Sequence, residues 1–272
     1  MPLKRLGWVV LVIGVWIGGP ARAAAQVAYA RGQDVSPTFD GWERNPDGTY
    51  NFYFGYFNRN TEEEVDIPIG PDNKFEEGGD RGQPTHFNTA RRWWVFKVLV
   101  PKDWPKDRRL VWTLSSYGRT NQAKGWLQPE WEVDVGIMFR NSRDNFLFPG
   151  GGAEGAVADL DNRPPSITGS AAQAVTLPQT AALSVTATDD GRPKLDTEQR
   201  KSGRREGVRF RWMLYRGAGK VRFEQGTSGP IATNPATSQT KVTFSAPGVY
   251  RLRAIASDGQ AFSTYDVDVT VK

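Results

Sequence analysis

Apolar and polar side chains alternate with a period of two along much of the chain, which is the spacing of side chains on a β-strand. The alternation is clearest in the C-terminal half, in the segments 181–188, 208–214, 220–223, 241–244, 250–254 and 265–271. In the second of these, Val208, Phe210 and Trp212 fall on one face and arginines on the other. No long segment shows the 3.6-residue period of an amphipathic helix. The pattern therefore predicts an all-β protein.

The N-terminal half shows the same pattern with larger side chains. Strands are predicted near 49–58, 93–100, 109–117 and 122–128. Their inward faces would carry Tyr50, Phe52, Phe54 and Tyr56 on the first, Trp94, Phe96, Val98 and Val100 on the second, and Leu110, Trp112 and Leu114 on the third. Stacked and edge-to-face aromatic rings can fill the core of a β-sandwich. We expect one here.

A change of composition near residue 160 divides the chain. Seven of the eight tryptophans after residue 25 precede this point, and Trp212 alone follows it. Between them lies a glycine-rich segment that ends in Pro164 and Pro165, which predicts a flexible joint with a stiff end. The predicted organisation is a module at 26–147, a linker at 148–163 and an immunoglobulin-like sandwich of about seven strands at 164–272.

The first 25 residues have the features of an export signal. Lys4 and Arg5 precede an uncharged apolar run over 6–19, Pro20 ends that run, and small residues follow up to Ala25. The alternative is an uncleaved anchor, but this run is shorter than the ~20 residues that span a bilayer. We expect cleavage, export, and a location in the periplasm or outside the cell.

The amino-acid composition excludes several kinds of functional site. The chain has 272 residues with no cysteine and one histidine, His86, so disulfides, thiolate metal sites and thiol catalysis are excluded, and we expect no cofactor. The sequence pI of about 9.4 includes three cations of the signal. Without the signal, residues 26–160 carry a net charge of −4 and residues 161–272 a net charge of +6. Nucleic acid is therefore not an expected partner.

The C-terminal module resembles known families. Its segments Asn162–Ile167, Val185–Gly191, Phe210–Trp212, Ala246–Leu252 and Ala256–Gly259 are similar, in order and spacing, to polycystic-kidney-disease-like and cadherin-like modules of bacterial secreted proteins. The resemblance covers nearly all of 162–272, apart from a basic insert at 192–206. It implies a β-sandwich that serves as a spacer, an adhesion module or an appendage to a secreted enzyme. Because sandwiches have many roles, it specifies the fold better than the function.

The N-terminal module is similar to an uncharacterised module of bacterial exported proteins. The segments that carry this similarity are 47–60, 67–75 and 82–87, and the match covers roughly 40–130. That family has no assigned activity, so the resemblance supports export and adds no chemistry.

Several aromatic side chains fall outside the predicted core faces of the first module. Tyr53, Phe57 and Trp93 lie on the opposite faces of their strands, and Trp104 lies in a turn between two prolines. We take Tyr53, Trp93 and Trp104 as candidate binding residues, because exposed aromatic rings form contact surfaces for ligands such as sugars. The alternative is that they pack against loops or against the second module.

Arginines alternate with the core positions of the second module. If the strands at 208–214 and 250–254 are paired, Arg209, Arg211, Arg251 and Arg253 project from one side of the sheet. Like charges placed side by side destabilise a sheet, so this face suggests an anionic partner. That partner would be the first module, an acidic polysaccharide or a phosphate-rich surface. The alternative is a solvated face.

Acidic residues near the joint offer a calcium site as a further hypothesis. They are Asp159, Asp161, Asp189, Asp190 and Asp258, whose oxygens suit calcium, as in cadherin-like modules. Because Asp-Gly sequences also form plain turns, turns are favoured and no metal site is assigned.

Catalysis is not expected. His86 has no nucleophile motif beside it, and the acids Glu62–Glu64 and Asp66 resemble a solvated turn more than a pair of catalytic carboxylates. The sequence therefore predicts an exported, non-catalytic interaction or attachment protein. The alternative is a polysaccharide-binding accessory protein, and the expected partner is a polysaccharide or another envelope protein.

Overall fold

The computed structural model describes residues 29–142, 147–148, 152, 157–201, 203–217 and 219–272. The predicted signal peptide, residues 1–25, lies outside these ranges, as does part of the predicted linker. The described chain consists mainly of β-strands, so the predicted all-β fold is confirmed.

Three small sheets build the first module. Its strands within the described ranges are β1 (Val35–Arg44), β2 (Tyr50–Asn58), β3 (Val65–Asp66), β4 (Asn73–Phe75), β5 (His86–Phe87), β6 (Ala90–Val100), β7 (Leu110–Ser116) and β8 (Arg119–Gly125). The sheet β1-β2-β6 and the sheet β4-β7-β8 enclose one core, and β3 pairs with β5 beside it. The rings of Phe52, Phe54 and Trp112 are fully buried there, as the alternation predicts.

A bulge in β6 sends its tryptophans away from this core. Phe96 lies opposite Phe54 and Arg92 opposite Tyr56, so the three residues 93–95 face the single residue Gly55. Trp94 has a left-handed φ of 55° at this point. The prediction that Trp94 shares a face with Phe96 is therefore wrong, because residues 93–95 are out of register with β2 and Trp94, with its left-handed φ, packs in a separate cluster from Phe96.

A buried carboxylate holds the bulge in place. Asp40 accepts a hydrogen bond from the backbone N–H of Trp94 at 2.8 Å and forms an ion pair with Arg91. Burial raises the pKa of Asp40, and the Arg91 guanidinium opposes that rise. Only glycine fits at residue 55, because a Cβ atom there would lie 2.3 Å from the Arg92 carbonyl oxygen and 2.4 Å from an Asp40 carboxylate oxygen.

The second module is a β-sandwich. Its strands within the described ranges are β9 (Ser166–Gly169), β10 (Gln173–Val175), β11 (Ala181–Thr188), β12 (Val208–Arg216), β13 (Val221–Phe223), β14 (Thr227–Ile231), β15 (Ala236–Phe244), β16 (Gly248–Ser257) and β17 (Phe262–Val271). The sheet β10-β17-β16-β12-β14 faces the sheet β13-β15-β11-β9. Trp212 lies in the core between them, as predicted, and is 3% exposed.

Three short helices occur within the described ranges where the alternation predicts no element, namely the 3-10 helix Pro129–Trp131 and two α-helices. The helix α1 (Val135–Asn141) lies after β8 within the first module, and the carboxylate of Asp134 caps it by accepting a hydrogen bond from Ile137 N–H. The helix α2 (Thr197–Lys201) lies within the basic insert. Across the part of the chain that the structure describes, no helix combines the length and the apolarity needed to cross a membrane.

Candidate binding cleft between the modules

A hydrophobic cluster joins the two modules. Its buried members are Trp94, Val133, Met138, Phe139, Leu147 and Phe148, and its partly buried members include Tyr53, Trp93, Ile255 and Phe262. The rings of Phe148 and Phe262 meet edge to face, with their centroids 5.8 Å apart. The bulge in β6 creates this cluster, because it turns Trp94 toward the second module.

Arg253 of β16 lies at the interface and donates one hydrogen bond across it. Its guanidinium forms two hydrogen bonds with Asp266, of 2.7 and 2.9 Å, and donates a third to the Val95 carbonyl oxygen in the bulge at 2.6 Å. It also stacks on the ring of Tyr215, 3.5 Å from the centroid. Arg253 is 8% exposed, so this charge is buried and its donors are directed at fixed acceptors.

A second set of polar contacts ties the loop before β5 to the end of β12. Arg216 forms two hydrogen bonds with Asp80, of 2.7 and 2.8 Å, and a third with the Gln83 carbonyl oxygen at 2.8 Å. The Arg216 guanidinium lowers the pKa of Asp80 to about 2. The hydroxyl of Tyr215 donates to the Gly82 carbonyl oxygen. Together with Arg253, these bonds fix the modules relative to one another.

Between the modules lies a cleft of about 600 Å³, which we call the inter-module cleft. Its walls come from the bulge in β6, from β12 and from the loop between β12 and β13. They include Asn88, Arg92, Trp93, Trp94, Arg211 and Lys220. A second cleft of about 510 Å³ also contains Trp94 and Val95 in its wall, together with Tyr53.

One wall of the inter-module cleft contains the single histidine between two carboxylates. The Nδ1 atom of His86 lies 2.7 Å from Asp66, and its Nε2 atom lies 3.3 Å from Glu64. Burial of the ring opposes protonation, but the hydrogen bonds and charges of the two carboxylates outweigh it and raise the pKa of His86 to about 9. The histidine is thus an imidazolium that neutralises its neighbours, and its hydrogen bond lowers the pKa of Glu64.

The tryptophan pair gives the cleft an aromatic wall. Trp93 is partly exposed, and the guanidinium of Arg91 lies over its ring, 3.8 Å from the centroid. Trp94 is 4% exposed, with its ring tilted by 34° from that of Trp93. The Trp94 Nε1 atom and the Asn88 Nδ2 atom are buried hydrogen-bond donors that have no acceptor. Because both atoms are fully buried, neither is open to the cleft.

The three candidate aromatic residues occupy three different environments. Trp93 lines the inter-module cleft. Tyr53 lines the second cleft, where its hydroxyl donates to Glu43 and its ring meets Trp94 edge to face.

Trp104 contradicts the prediction of an exposed ring, because it is 8% exposed and packs edge to face on Phe52. The turn that contains it folds the indole back onto the core, and its Nε1 atom donates to the Arg108 carbonyl oxygen.

The four candidate arginines do not form one open cationic face. Arg253 is bound as described above, and Arg251 forms hydrogen bonds of 2.8 and 2.9 Å with Asp268. The prediction of a shared unpaired face is wrong here, because β17 places an aspartate opposite each of these arginines. Arg211 lines the inter-module cleft, and Arg209, which is partly buried, does not.

The acids proposed for calcium separate into two groups. Asp159 accepts hydrogen bonds of 2.7 and 2.9 Å from the guanidinium of Arg192, and Asp161 lies 3.9 Å from the same group. An arginine of the basic insert thus already supplies positive charge at these two carboxylates.

The remaining three acids accept backbone hydrogen bonds in turns. Asp189 accepts from Gly191, Asp190 from Arg163 and Arg192, and Asp258 from Gln260 and Ala261. Burial raises the pKa of Asp258 to about 7. Within the described ranges, no three His, Cys, Asp or Glu side chains converge in a geometry that would hold a metal ion.

Sequence reasoning missed several residues of the cleft. Lys220, Asn88 and Arg92 come from loops and strand ends that carry no motif, and they meet only because the modules pack together, with β12 against β5 and Arg253 of β16 against the bulge in β6. The adjacent tryptophans of β6 were the available signal, since successive residues of a regular strand point to opposite faces and at least one indole had to leave the first core.

Comparisons with known proteins give remote likenesses. No model of a protein family matches the chain, and no curated protein matches it. Domains 4 and 5 of the S-layer protein SbsC are 14% identical to this chain, with a TM-score of 0.27. The match covers 43% of this chain and 56% of the SbsC fragment. The titin domains Z1Z2 in complex with telethonin are 12% identical with a TM-score of 0.23, over 87% of this chain and 96% of that one.

A chimeric titin Z1Z2 that carries a peptide from decorin is 10% identical with a TM-score of 0.23, over 87% of this chain and 97% of that one. Likenesses this remote assign no activity. The relationship of the second module to the polycystic-kidney-disease-like and cadherin-like families stays a prediction from the sequence.

Proposed function

We propose that this chain is an exported, non-catalytic binding protein that attaches to a polysaccharide through the inter-module cleft. The observation that carries the proposal is the cleft of about 600 Å³ with a partly exposed indole, Trp93, in its wall. Binding sites are typically concave, are lined by aromatic groups and contain a few directed polar groups. An indole ring can pack against the apolar face of a sugar ring, and the surrounding donors can reach its oxygens.

The contacts between the modules support a site that exists before the ligand arrives. Arg216 donates three hydrogen bonds across the interface and Arg253 donates one, and the buried cluster around Trp94 adds apolar contacts between the modules. Because the walls are held by these bonds, binding does not have to order them. A preformed site loses less conformational entropy on binding than a mobile one.

The environment of His86 supports a non-catalytic role. A general base needs a neutral imidazole nitrogen that faces the substrate, but both nitrogens of His86 contact carboxylates and its pKa is raised to about 9. A general acid for sugar hydrolysis needs a carboxyl group with a raised pKa, whereas the pKa of Glu64 is lowered. Glu64 and Asp66 thus stabilise the cleft wall through their contacts with His86.

The predicted export signal at 1–25 and both family resemblances point to the cell envelope or the extracellular space as the place of action. Polysaccharides are abundant there, and sandwich modules in secreted proteins serve as spacers and adhesion units. An envelope protein is the alternative partner, and it would be favoured if no glycan retains the protein.

A retention experiment tests the proposal. Purified protein is incubated with a panel of insoluble neutral and acidic polysaccharides, and the bound fraction is compared between wild type and Trp93→Ala. We expect retention of wild type by at least one polymer and a loss of about tenfold in affinity for the variant, the size of a lost aromatic anchor. Trp131→Ala is the matched control, because Trp131 is 41% exposed and stacks on Phe39 outside both clefts. Equal retention of Trp93→Ala and wild type contradicts the assignment of the cleft.

A further inference from the structure

The inter-module cleft and the second cleft have a wall in common, which we call the shared wall. Trp94, Val95, Arg253, Phe262 and Thr264 line both clefts. Thr264 is exposed, and Val95 and Phe262 are partly exposed, so the shared wall is open to solvent along part of its surface. The two clefts are therefore neighbours, and a ligand that extends beyond one of them meets the other.

Aromatic rings run from one cleft to the other through the shared wall. Tyr53 lines the second cleft, and its ring centroid lies 5.8 Å from that of Trp94. The ring of Trp94 lies in turn 6.2 Å from that of Trp93, which lines the inter-module cleft. Trp94 is buried, whereas Tyr53 and Trp93 are partly exposed. Each cleft thus has one ring that a sugar can contact, with a single indole between the two.

The second cleft also has polar groups that a ligand can reach. The ammonium group of Lys97 lies over the ring of Tyr53, 5.9 Å from its centroid, and the side chain is 56% exposed. Its Nζ atom is 4.0 Å from Glu43, which is beyond hydrogen-bonding distance, so its N–H donors can reach a sugar oxygen. With a volume of about 510 Å³, this cleft is large enough to hold a ligand of its own.

Contacts in the shared wall fix the two clefts relative to one another. Arg253 donates a hydrogen bond of 2.6 Å to the Val95 carbonyl oxygen, and the rings of Phe148 and Phe262 meet edge to face. Because the clefts keep their spacing, a chain that binds in one presents its next units to the other at a high effective concentration. The second contact then costs less entropy than the binding of a separate molecule would.

Building on the proposed function, we infer that the ligand is a polysaccharide chain whose successive units occupy both clefts. Trp93 contacts one unit, Tyr53 and Lys97 contact another, and the chain crosses the shared wall at Thr264. The protein thus selects chains of several sugar units over monosaccharides and disaccharides, which reach only one cleft at a time.

Lys97→Ala tests the contribution of the second cleft. The side chain is exposed, so its loss leaves the packing of the core unchanged. Lys74→Ala is the matched control, because Lys74 is an exposed lysine on β4 that lines neither cleft.

The experiment measures affinity by isothermal titration calorimetry for oligomers of cellulose, chitin, xylan and polygalacturonate, from the dimer to the octamer. We expect at least one series to bind, with the octamer bound about tenfold or more tightly than the dimer, because only the octamer reaches both clefts. Lys97→Ala should weaken binding of that octamer about fivefold, the size of one lost hydrogen bond, and leave the dimer at Trp93 unchanged. Trp93→Ala should weaken the binding of both lengths, and Lys74→Ala should weaken neither.

The outcomes separate the inference from the proposed function. An octamer that binds no more tightly than its dimer overturns the inference, and retention of the polymer then leaves the proposed function intact. Equal octamer affinities of Lys97→Ala and Lys74→Ala also overturn the inference, because the second cleft then contributes nothing. Binding of unfolded casein without binding of any glycan overturns both, as does a lack of binding to every oligomer and polymer in the panel.

Discussion

Replacing Arg253 by leucine tests how much the buried guanidinium at the module interface contributes to stability. Arg253 donates two hydrogen bonds to Asp266 and one to the Val95 carbonyl oxygen, and it stacks on Tyr215. The leucine variant keeps the apolar volume but leaves a carboxylate without its cation and a carbonyl oxygen without its donor.

The size of the effect follows from these losses. Removing one partner of a buried ion pair costs about 3–5 kcal/mol, because the other charge stays buried and unpaired. The side chain of Asp266 is 27% exposed, so water compensates in part. We therefore expect the free energy of unfolding to fall by about 2–4 kcal/mol. Removing both charges, in Arg253→Leu with Asp266→Leu, should cost less than the single change, because no unpaired carboxylate remains.

Urea unfolding followed by tryptophan fluorescence measures both variants. Arg222→Leu is the control, because Arg222 is exposed on β13 in the opposite sheet, and its free energy of unfolding should stay within about 0.5 kcal/mol of wild type. The interpretation is refuted if Arg253→Leu is as stable as that control, or if the double variant is less stable than Arg253→Leu alone.

Three further predictions follow from the structure. Gly55→Ala should lose at least about 2 kcal/mol of stability, because its Cβ atom clashes with the Arg92 carbonyl oxygen. Gly226→Ala is the control: no atom lies nearer than 3.8 Å to a Cβ atom there, so it should lose less than about 1 kcal/mol. Equal urea midpoints for the two variants would contradict this prediction. The stability that His86 contributes is complete below its ordinary pKa of 6.5 and is lost as the pH rises through its folded-state pKa of about 9, so wild type should weaken by about 3 kcal/mol over that window. His86→Gln should weaken less, and parallel pH profiles of the two proteins would refute the assignment. Trp104→Ala should lower the free energy of unfolding by about 3 kcal/mol, because the indole is buried. Retention of the folded variant by polysaccharide should be the same as that of wild type. A loss of retention without a loss of stability would restore the original hypothesis that Trp104 binds sugar.

Periodicity was sufficient to place most of the strands. The segments 181–188 and 208–214 coincide with β11 and with most of β12, because each alternates without interruption over seven or more residues. β1 was missed, since Pro37 and Gly41 interrupt its apolar pattern and a bulge near Gly41 shifts its pairing with β2. Periodicity identifies regular strands and fails at irregular ones.

The cleft depended on contacts that no local pattern encodes. The bulge in β6 needs Asp40, more than fifty residues away in the sequence, and Gly55 on the neighbouring strand. The pairing of the arginines was accessible in principle, because Asp266 and Asp268 alternate along the strand next to Arg251 and Arg253. Finding it required the order of the strands, which alternation alone does not give.

Hydrogen exchange tests the central claim, that the inter-module cleft is the binding site. Amide exchange of the full protein is measured by mass spectrometry with and without oligomers of the polymer that retains it most strongly. We predict slower exchange in peptides that cover 86–95 and 219–227, which form the two walls of the cleft, and unchanged exchange across β8. Slower exchange confined to segments outside these walls, such as those around Trp131, would contradict the account.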